Sequence, residues 1–85
     1  MSLPPISSEF ERRIREVMSE VLELDPAAIH EGFSRADAPL WSSLSHLQMV
    51  SALEDVFGIK LTMKEVGEME SFASIRRLVA ARLQG

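Results

Sequence analysis

The sequence predicts an all-α fold: a four-helix bundle of three longer helices and one short one, with a long first connection. Three observations carry that expectation. Apolar residues recur at steps of three and four through three separate stretches, which places them on one helix face in each. Hydroxyl residues followed three positions later by Glu, and glycines or prolines, stand where such stretches would begin and end. No stretch alternates apolar and polar residues as a half-buried strand does.

The first helix is expected over Ser8–Leu24, with Phe10, Ile14, Val17, Met18, Val21 and Leu22 as its apolar stripe. Ser8 and Glu11 have capping-box spacing, in which each side chain satisfies a backbone donor that the helix start leaves unpaired. Asp25-Pro26 is expected to stop this helix, because a residue before proline avoids helical geometry. A 17-residue connection, Asp25–Trp41, follows. Asp25 as cap and Pro26 at the first position can start a short helical turn through Ile29, and Ile29, Phe33 and Leu40 read as anchors to the core.

A second strong helix runs from about Ser43 to Phe57, with Leu44, Leu47, Val50, Leu53 and Phe57 facing one way and Met49 and Val56 widening the stripe. Gly58 ends it as a left-handed cap. Thr62 and Glu65 repeat the capping-box spacing and open a short segment with Val66 and Met69, which Gly67 weakens. Ser71 caps a last helix striped by Phe72, Ile75, Leu78, Val79 and Leu83, whose Arg76, Arg77 and Arg82 suit the C-terminal end of its dipole. Residues 1–7 read as an N-terminal tail, a candidate for disorder, and 8–85 as one domain.

Composition narrows the function. At 85 residues, 46% of them hydrophobic, one compact core is the most the chain supports, and no separate catalytic domain fits beside it. The absence of cysteine removes disulfides, thiolate nucleophiles and sulfur-ligated metals, and fits a reducing cytoplasm. The longest apolar run, Leu78–Ala81, falls far short of a membrane span of roughly 20 residues. The N-terminus has neither the basic flank nor the apolar stretch of a signal peptide, so a soluble, cytoplasmic monomer is expected. Residues 1–40 hold four Arg against eight acidic residues, the whole formal net charge of −4. No basic face is left for nucleic acid, and basic proteins are the better partners.

Titratable groups are too few for an enzyme. His30 and His46 fall in different segments and read as a solvated and a surface histidine, which leaves no metal site. Glu54-Asp55, and Glu68 with Glu70, read as solvated helix faces. One feature stands apart, the run Trp41-Ser42-Ser43-Leu44-Ser45-His46-Leu47 at the start of the second helix. A hydroxyl there, reached by a long loop, is well placed to carry a phosphodiester, which the first-turn N–H groups and the positive end of the macrodipole would stabilise. The same serines also serve as plain caps, and physics alone favours that simpler reading.

The wider pattern reverses the preference. Residues 43–58, ending in Leu53-Glu54-Asp55-Val56-Phe57-Gly58, closely resemble the second helix of acyl carrier proteins, whose signature is Asp-Ser-Leu followed by an amphipathic stretch closing on Leu-Glu-x-x-Phe-Gly. Ile59-Lys60-Leu61-Thr62 and Ser71-Phe72-Ala73-Ser74-Ile75 resemble the family's third helix and the entry to its fourth. The likeness runs from about Phe10 to Leu83 and implies a four-helix bundle of the acyl-carrier type. By that resemblance Ser43 carries a covalent 4′-phosphopantetheine arm, installed from coenzyme A by a holo-carrier-protein synthase. Intermediates would ride as thioesters on its terminal thiol, which explains thiol chemistry in a chain without cysteine. Acyl-transferring or acyl-activating enzymes are the implied partners, and the chain itself catalyses nothing.

Two departures from the family pattern matter. Ser42 stands where the family has Asp; it keeps the capping capacity but not the charge that helps the synthase recognise its target. The chain is then either a specialised carrier with its own synthase or an altered one that is modified poorly, with Ser42 and Ser45 as alternative hydroxyls. The second helix is also poor in acids, holding only Glu54 and Asp55, so docking should rest on Leu44, Met49 and other apolar contacts, helped by Glu65 and Glu68. Met49 reads equally as core filler, and Trp41 either covers the helix mouth, meets the arm or packs the loop. Pro39-Leu40-Trp41, in place of the glycines common in modular synthases, suggests a free-standing carrier of a specialised lipid, polyketide or related pathway. A peptidyl or amino-acyl carrier, a prosthetic-group-free helical adaptor and, more remotely, a helix-turn-helix DNA binder are the alternatives.

Overall fold

A computed structural model describes residues 8–84. The tail read over 1–7 lies outside the described residues, as does the Ser8 side chain and with it the capping box expected with Glu11. The elements are α1 (Ser8–Leu22), α2 (Ser43–Phe57), α3 (Met63–Glu68) and α4 (Phe72–Gln84), with single 3₁₀ turns at Pro26–Ala28 and Arg35–Asp37 between α1 and α2. The first turn is the one expected, its Asp25 carboxylate accepting the Ala27 N–H at 2.8 Å. The second was not foreseen; Asp37 folds back onto the Ser34 N–H at 3.0 Å.

Both α1 and α2 end in the same geometry. The residue after each helix turns left-handed, Glu23 at φ 57° and Gly58 at φ 65°. The following N–H reaches back five residues, Leu24 to the Ser19 carbonyl at 3.0 Å and Ile59 to that of Glu54 at 3.1 Å. That turn at Glu23, rather than Asp25-Pro26, is what stops α1, two residues before the expected end. The starts of α3 and α4 follow the sequence more closely. Thr62 and Glu65 form their reciprocal box, and Ser71 caps α4 by accepting the Ser74 N–H at 3.0 Å.

The core is shared by Ile14, Met18 and Leu22 of α1, Met49 and Leu53 of α2, and Phe72, Ile75 and Val79 of α4, all fully buried. Each such side chain contributes about 1.5–3 kcal/mol when removed from water. The connection supplies Ile29 and Phe33 as expected, but its third anchor is Trp41, since Leu40 is half exposed. Arg35 donates its N–H to the Glu70 carbonyl at 2.9 Å and Phe72 to that of Phe33 at 3.0 Å, which pins the middle of the connection to the entry of α4. Ala80, not Leu83, completes the α4 stripe. Arg76 lies in the first half of α4 and pairs with Glu31 and Glu11, so only Arg82 stands in the last turn where the dipole favours a cation.

The inner face of α2 is also turned from the expected one. Leu44 is 67% exposed and Leu47 56%, while Ser45, His46, Met49, Val50 and Leu53 are buried. Nine residues are two and a half turns, so Leu44 and Leu53 point to opposite sides and cannot share a stripe. The helix carries apolar residues on most of its circumference, and the face that wins is the one His46 begins, at positions i, i+3, i+4 and i+7.

Two glycines should respond oppositely to alanine. At Gly58 a Cβ meets nothing within 4 Å, so the cost of Gly58→Ala is the left-handed backbone alone, about 1 kcal/mol. Gly67 sits inside α3 with the same open space, and Gly67→Ala should stabilise by about 0.5–1 kcal/mol. Urea unfolding midpoints of the two variants should move to opposite sides of the wild type.

Candidate functional site

Three hydroxyls stand at the start of α2, and the backbone gives them different work. Ser42 is the N-cap, in extended geometry at φ −93°, ψ 178°. Its Oγ accepts the Ser45 N–H at 3.2 Å, while Ser45 Oγ accepts the Ser42 N–H at 2.7 Å and donates to the Leu40 carbonyl at 2.7 Å. Ser42 thus retains the capping capacity read from sequence, and Ser45 is buried in the same exchange. Ser43 is the first helical residue. It is exposed, and its hydroxyl makes no hydrogen bond among the described residues. At α4 the identical Ser–x–x–Ser box places the fully buried Phe72 in the corresponding position. One cap design is used twice, and one of the two presents a hydroxyl.

Electrostatics at this end favour an anion. The first turn of α2 holds no acidic residue, so no side chain of that turn neutralises the positive end of its 15-residue dipole. The N–H groups of Ser43 and Leu44 open the helix with no carbonyl to bond within it. A phosphodiester on Ser43 would meet that end, an interaction worth about 0.3–1 kcal/mol at an exposed site. The residues present therefore fit a phosphate-linked group.

The residue that sequence reasoning missed is His46. It is 8% exposed rather than a surface side chain. Nδ1 accepts the Trp41 indole N–H at 2.9 Å, so the ring proton sits on Nε2, which donates to the Val66 carbonyl of α3 at 2.7 Å. Trp41 is buried between two rings, Phe33 at 6.3 Å and 14° and His46 at 6.0 Å and 21°. Of its three possible roles, packing the loop is the one seen. A signal for His46 existed in the helical spacing from His46 through Met49 and Val50 to Leu53, though a polar residue is rarely counted in such a stripe.

The remaining sequence-predicted recognition residues are spread out. Leu44 lies beside Ser43 and is exposed. Met49 is 1% exposed and belongs to the core, so it offers no docking contact. Glu54 accepts the Leu61 N–H at 2.8 Å and holds the segment after α2, whereas Asp55 is exposed. They stand about 16 to 18 Å along the helix from Ser43. Glu65 caps α3 and bonds Arg82 of α4 at 2.7 Å. An open groove lined by Arg12, Arg13, Val17 and Val56 lies at that far end of α2, away from Ser43. Among the described residues no group of three potential ligands could hold a metal, and no helix is long and apolar enough to cross a membrane.

A small helical bundle with an unengaged, exposed serine at the mouth of its second helix has the architecture of a prosthetic-group carrier. The chain matches the family model described as phosphopantetheine attachment site over residues 12–81, and it belongs to that family, whose domain is the site of covalent 4′-phosphopantetheine attachment. It is also similar to a solved structure described as "The ishigamide ketosynthase/chain length factor", with a TM-score of 0.75 and 26% identity over 93% of this chain and 100% of the matched one. The acyl-carrier-type fold and the phosphopantetheine cofactor expected from the sequence are thereby established.

The Glu65–Arg82 contact gives a pH signature. The Arg82 guanidinium, followed by the Thr62 N–H, holds the Glu65 carboxyl below its ordinary 4.5. A depressed folded value stabilises the protein above the unfolded value and is lost as pH falls through the folded one. Arg82→Gln should therefore lower stability near neutral pH and flatten the loss of stability as pH falls below 4.5, read as thermal midpoints against pH.

Proposed function

We propose that this chain is an acyl carrier protein in which Ser43 receives the phosphopantetheine arm. The observation that carries the reading is the division of labour among the three serines. Ser42 and Ser45 are engaged in the cap, and Ser43 alone of the three has an exposed hydroxyl with no hydrogen bond among the described residues. Attachment forms a bond from Ser43 Oγ to the pantetheine-bearing phosphorus of coenzyme A and breaks that atom's bond to the bridging pyrophosphate oxygen, which leaves with adenosine 3′,5′-bisphosphate. Among the described residues Ser43 has no hydrogen-bonded base, so a holo-carrier-protein synthase takes the proton. Once attached, the arm supplies the thiol on which acyl groups are carried as thioesters.

The chain's own contribution is presentation and recognition. Leu44, Leu47 and Met63, the last 82% exposed, give partners an apolar surface, and Asp55 is the one unengaged acid of α2. The partners proposed are acyl-transferring or acyl-activating enzymes, and a condensing enzyme is favoured by the structure described as a ketosynthase and chain length factor. A specialised lipid, polyketide or related pathway follows, with the chain acting as a cytoplasmic monomer that does no chemistry alone. Replacement of the family's Asp by Ser42 leaves the cap intact, which supports a working carrier rather than a damaged one.

Intact-mass measurement after incubation with coenzyme A and a broad-specificity phosphopantetheinyl transferase tests the assignment. Wild type and Ser45→Ala should gain one phosphopantetheine, and Ser43→Ala none. Label on Ser43→Ala removes the site assignment; an unlabelled wild type with a labelled Ser42→Asp would mean the acid is required after all. For docking, Leu44→Asp should raise the KM of an acyl-loading partner about 10-fold, equivalent to about 1.4 kcal/mol. That KM should change little with salt in the wild type, because few charges face the partner.

A further inference from the structure

We infer that His46 is a positioning residue for attachment at Ser43, acting through Trp41, and that it couples the attachment site to α3. The inference rests on Ser43 being the attachment residue. His46 joins three parts of the chain through one neutral ring. Its Nδ1 holds the indole N–H of Trp41, two residues before Ser43, and its Nε2–H holds the Val66 carbonyl near the end of α3.

The Trp41 end of this link has further contacts. The Phe33 ring lies nearly parallel to the indole at 6.3 Å, and the Trp41 carbonyl accepts the Arg35 Nε–H at 3.2 Å. The next N–H, that of Ser42, bonds both Ser45 Oγ and the Leu40 carbonyl. The backbone entering Ser43 is thus held by contacts that do not involve Ser43 itself, which leaves its hydroxyl free while the residue that carries it is held in place. Transfer of a phosphoryl-linked group needs that direction; a misplacement of about 1 Å can lower a rate about 100-fold.

The Val66 end carries the coupling. At six residues α3 is too short to persist alone, and its hydrogen-bonded ties to the rest of the fold are Glu65 to Arg82 and the Val66 carbonyl to His46. The Val66 carbonyl also takes the Met69 N–H at 3.3 Å, so the same oxygen closes the last turn of α3. Whatever loosens α3 pulls on the ring that holds Trp41. A partner that displaces α3 would therefore also release the approach to Ser43.

The chain has one tryptophan and no tyrosine, so a single indole N–H resonance reports the latch directly. Two substitutions separate its parts: His46→Phe keeps a ring of similar size without polar atoms, and His46→Gln keeps an acceptor and a donor without the ring. In His46→Phe the indole N–H and the amides of residues 66–69 should exchange at least about 10-fold faster, with cooperative unfolding retained. The kcat for phosphopantetheine attachment should fall about 10-fold or more, while KM stays within about 2-fold. His46→Gln should recover most of the lost kcat. A folded His46→Phe with wild-type kcat, or a loss confined to KM, overturns the inference. Should His46→Phe not fold, Trp41→Phe decides: it removes the indole N–H together with part of the ring, and an unchanged kcat in that variant is equally fatal. A wild type that accepts no phosphopantetheine defeats the carrier reading separately. The latch then stands on accelerated exchange at the indole and at 66–69, and falls if exchange is unchanged.

Discussion

The stacked rings of Phe33, Trp41 and His46 carry the twenty residues that separate α1 from α2. A connection of that length has a large conformational entropy to lose, and its two 3₁₀ turns are too short to order it alone. What orders it is burial of Ile29, Phe33 and Trp41 against the helices and the pair of backbone bonds that join residues 33 and 35 to the entry of α4. His46 is the member of the stack that belongs to a helix. Its two ring nitrogens convert an aromatic contact into a directional one, because the indole N–H and the Val66 carbonyl each fix where the ring can lie. The position of Ser42, and so the start of α2, follows from that contact.

Much of this could be read from the residues. The capping pairs at Thr62 and Ser71, the cap at Asp25 and the stop at Gly58 are local chemistry in which one side chain answers one backbone group, so sequence spacing suffices. The end of α1 was less legible because Glu23 takes a left-handed conformation that its residue type does not announce. The inner face of α2 was misread for a different reason. With Leu44 and Leu47 competing against Met49, Val50 and Leu53, apolar content alone does not select a side, and the deciding residue is a histidine whose partners lie on other elements. Tertiary polar contacts of this kind leave no periodic trace. At the site itself, the resemblance pointed to Ser43, the serine directly before Leu44, while the engagement of Ser42 and Ser45 in the cap lies in who bonds whom and is not visible in the sequence.

The charge of the chain has a structural use that its net value conceals. Glu31 and Glu11 hold Arg76, Glu65 holds Arg82, and Glu54 holds the Leu61 N–H. These carboxylates fasten α4 to the connection, to α1 and to α3, and the turn after α2 back onto α2. Part of the acidity that would suggest docking to basic partners is therefore committed within the fold, and α2 offers outward mainly Leu44, Leu47, neutral polar side chains and Asp55.

A surface of that composition selects partners by fit. Apolar area contributes about 25 cal/mol per Å² wherever it is buried, without direction, so discrimination has to come from the shape presented. Leu44 and Leu47 sit on the rigid second helix, and Met63 opens the short third one, which is tied to α2 through Val66 and His46. The spacing between the two halves of the apolar face is then set by the same bond that orders the approach to Ser43. The apolar side chains of α2 and α3 and the backbone that leads to Ser43 are thus joined through one histidine.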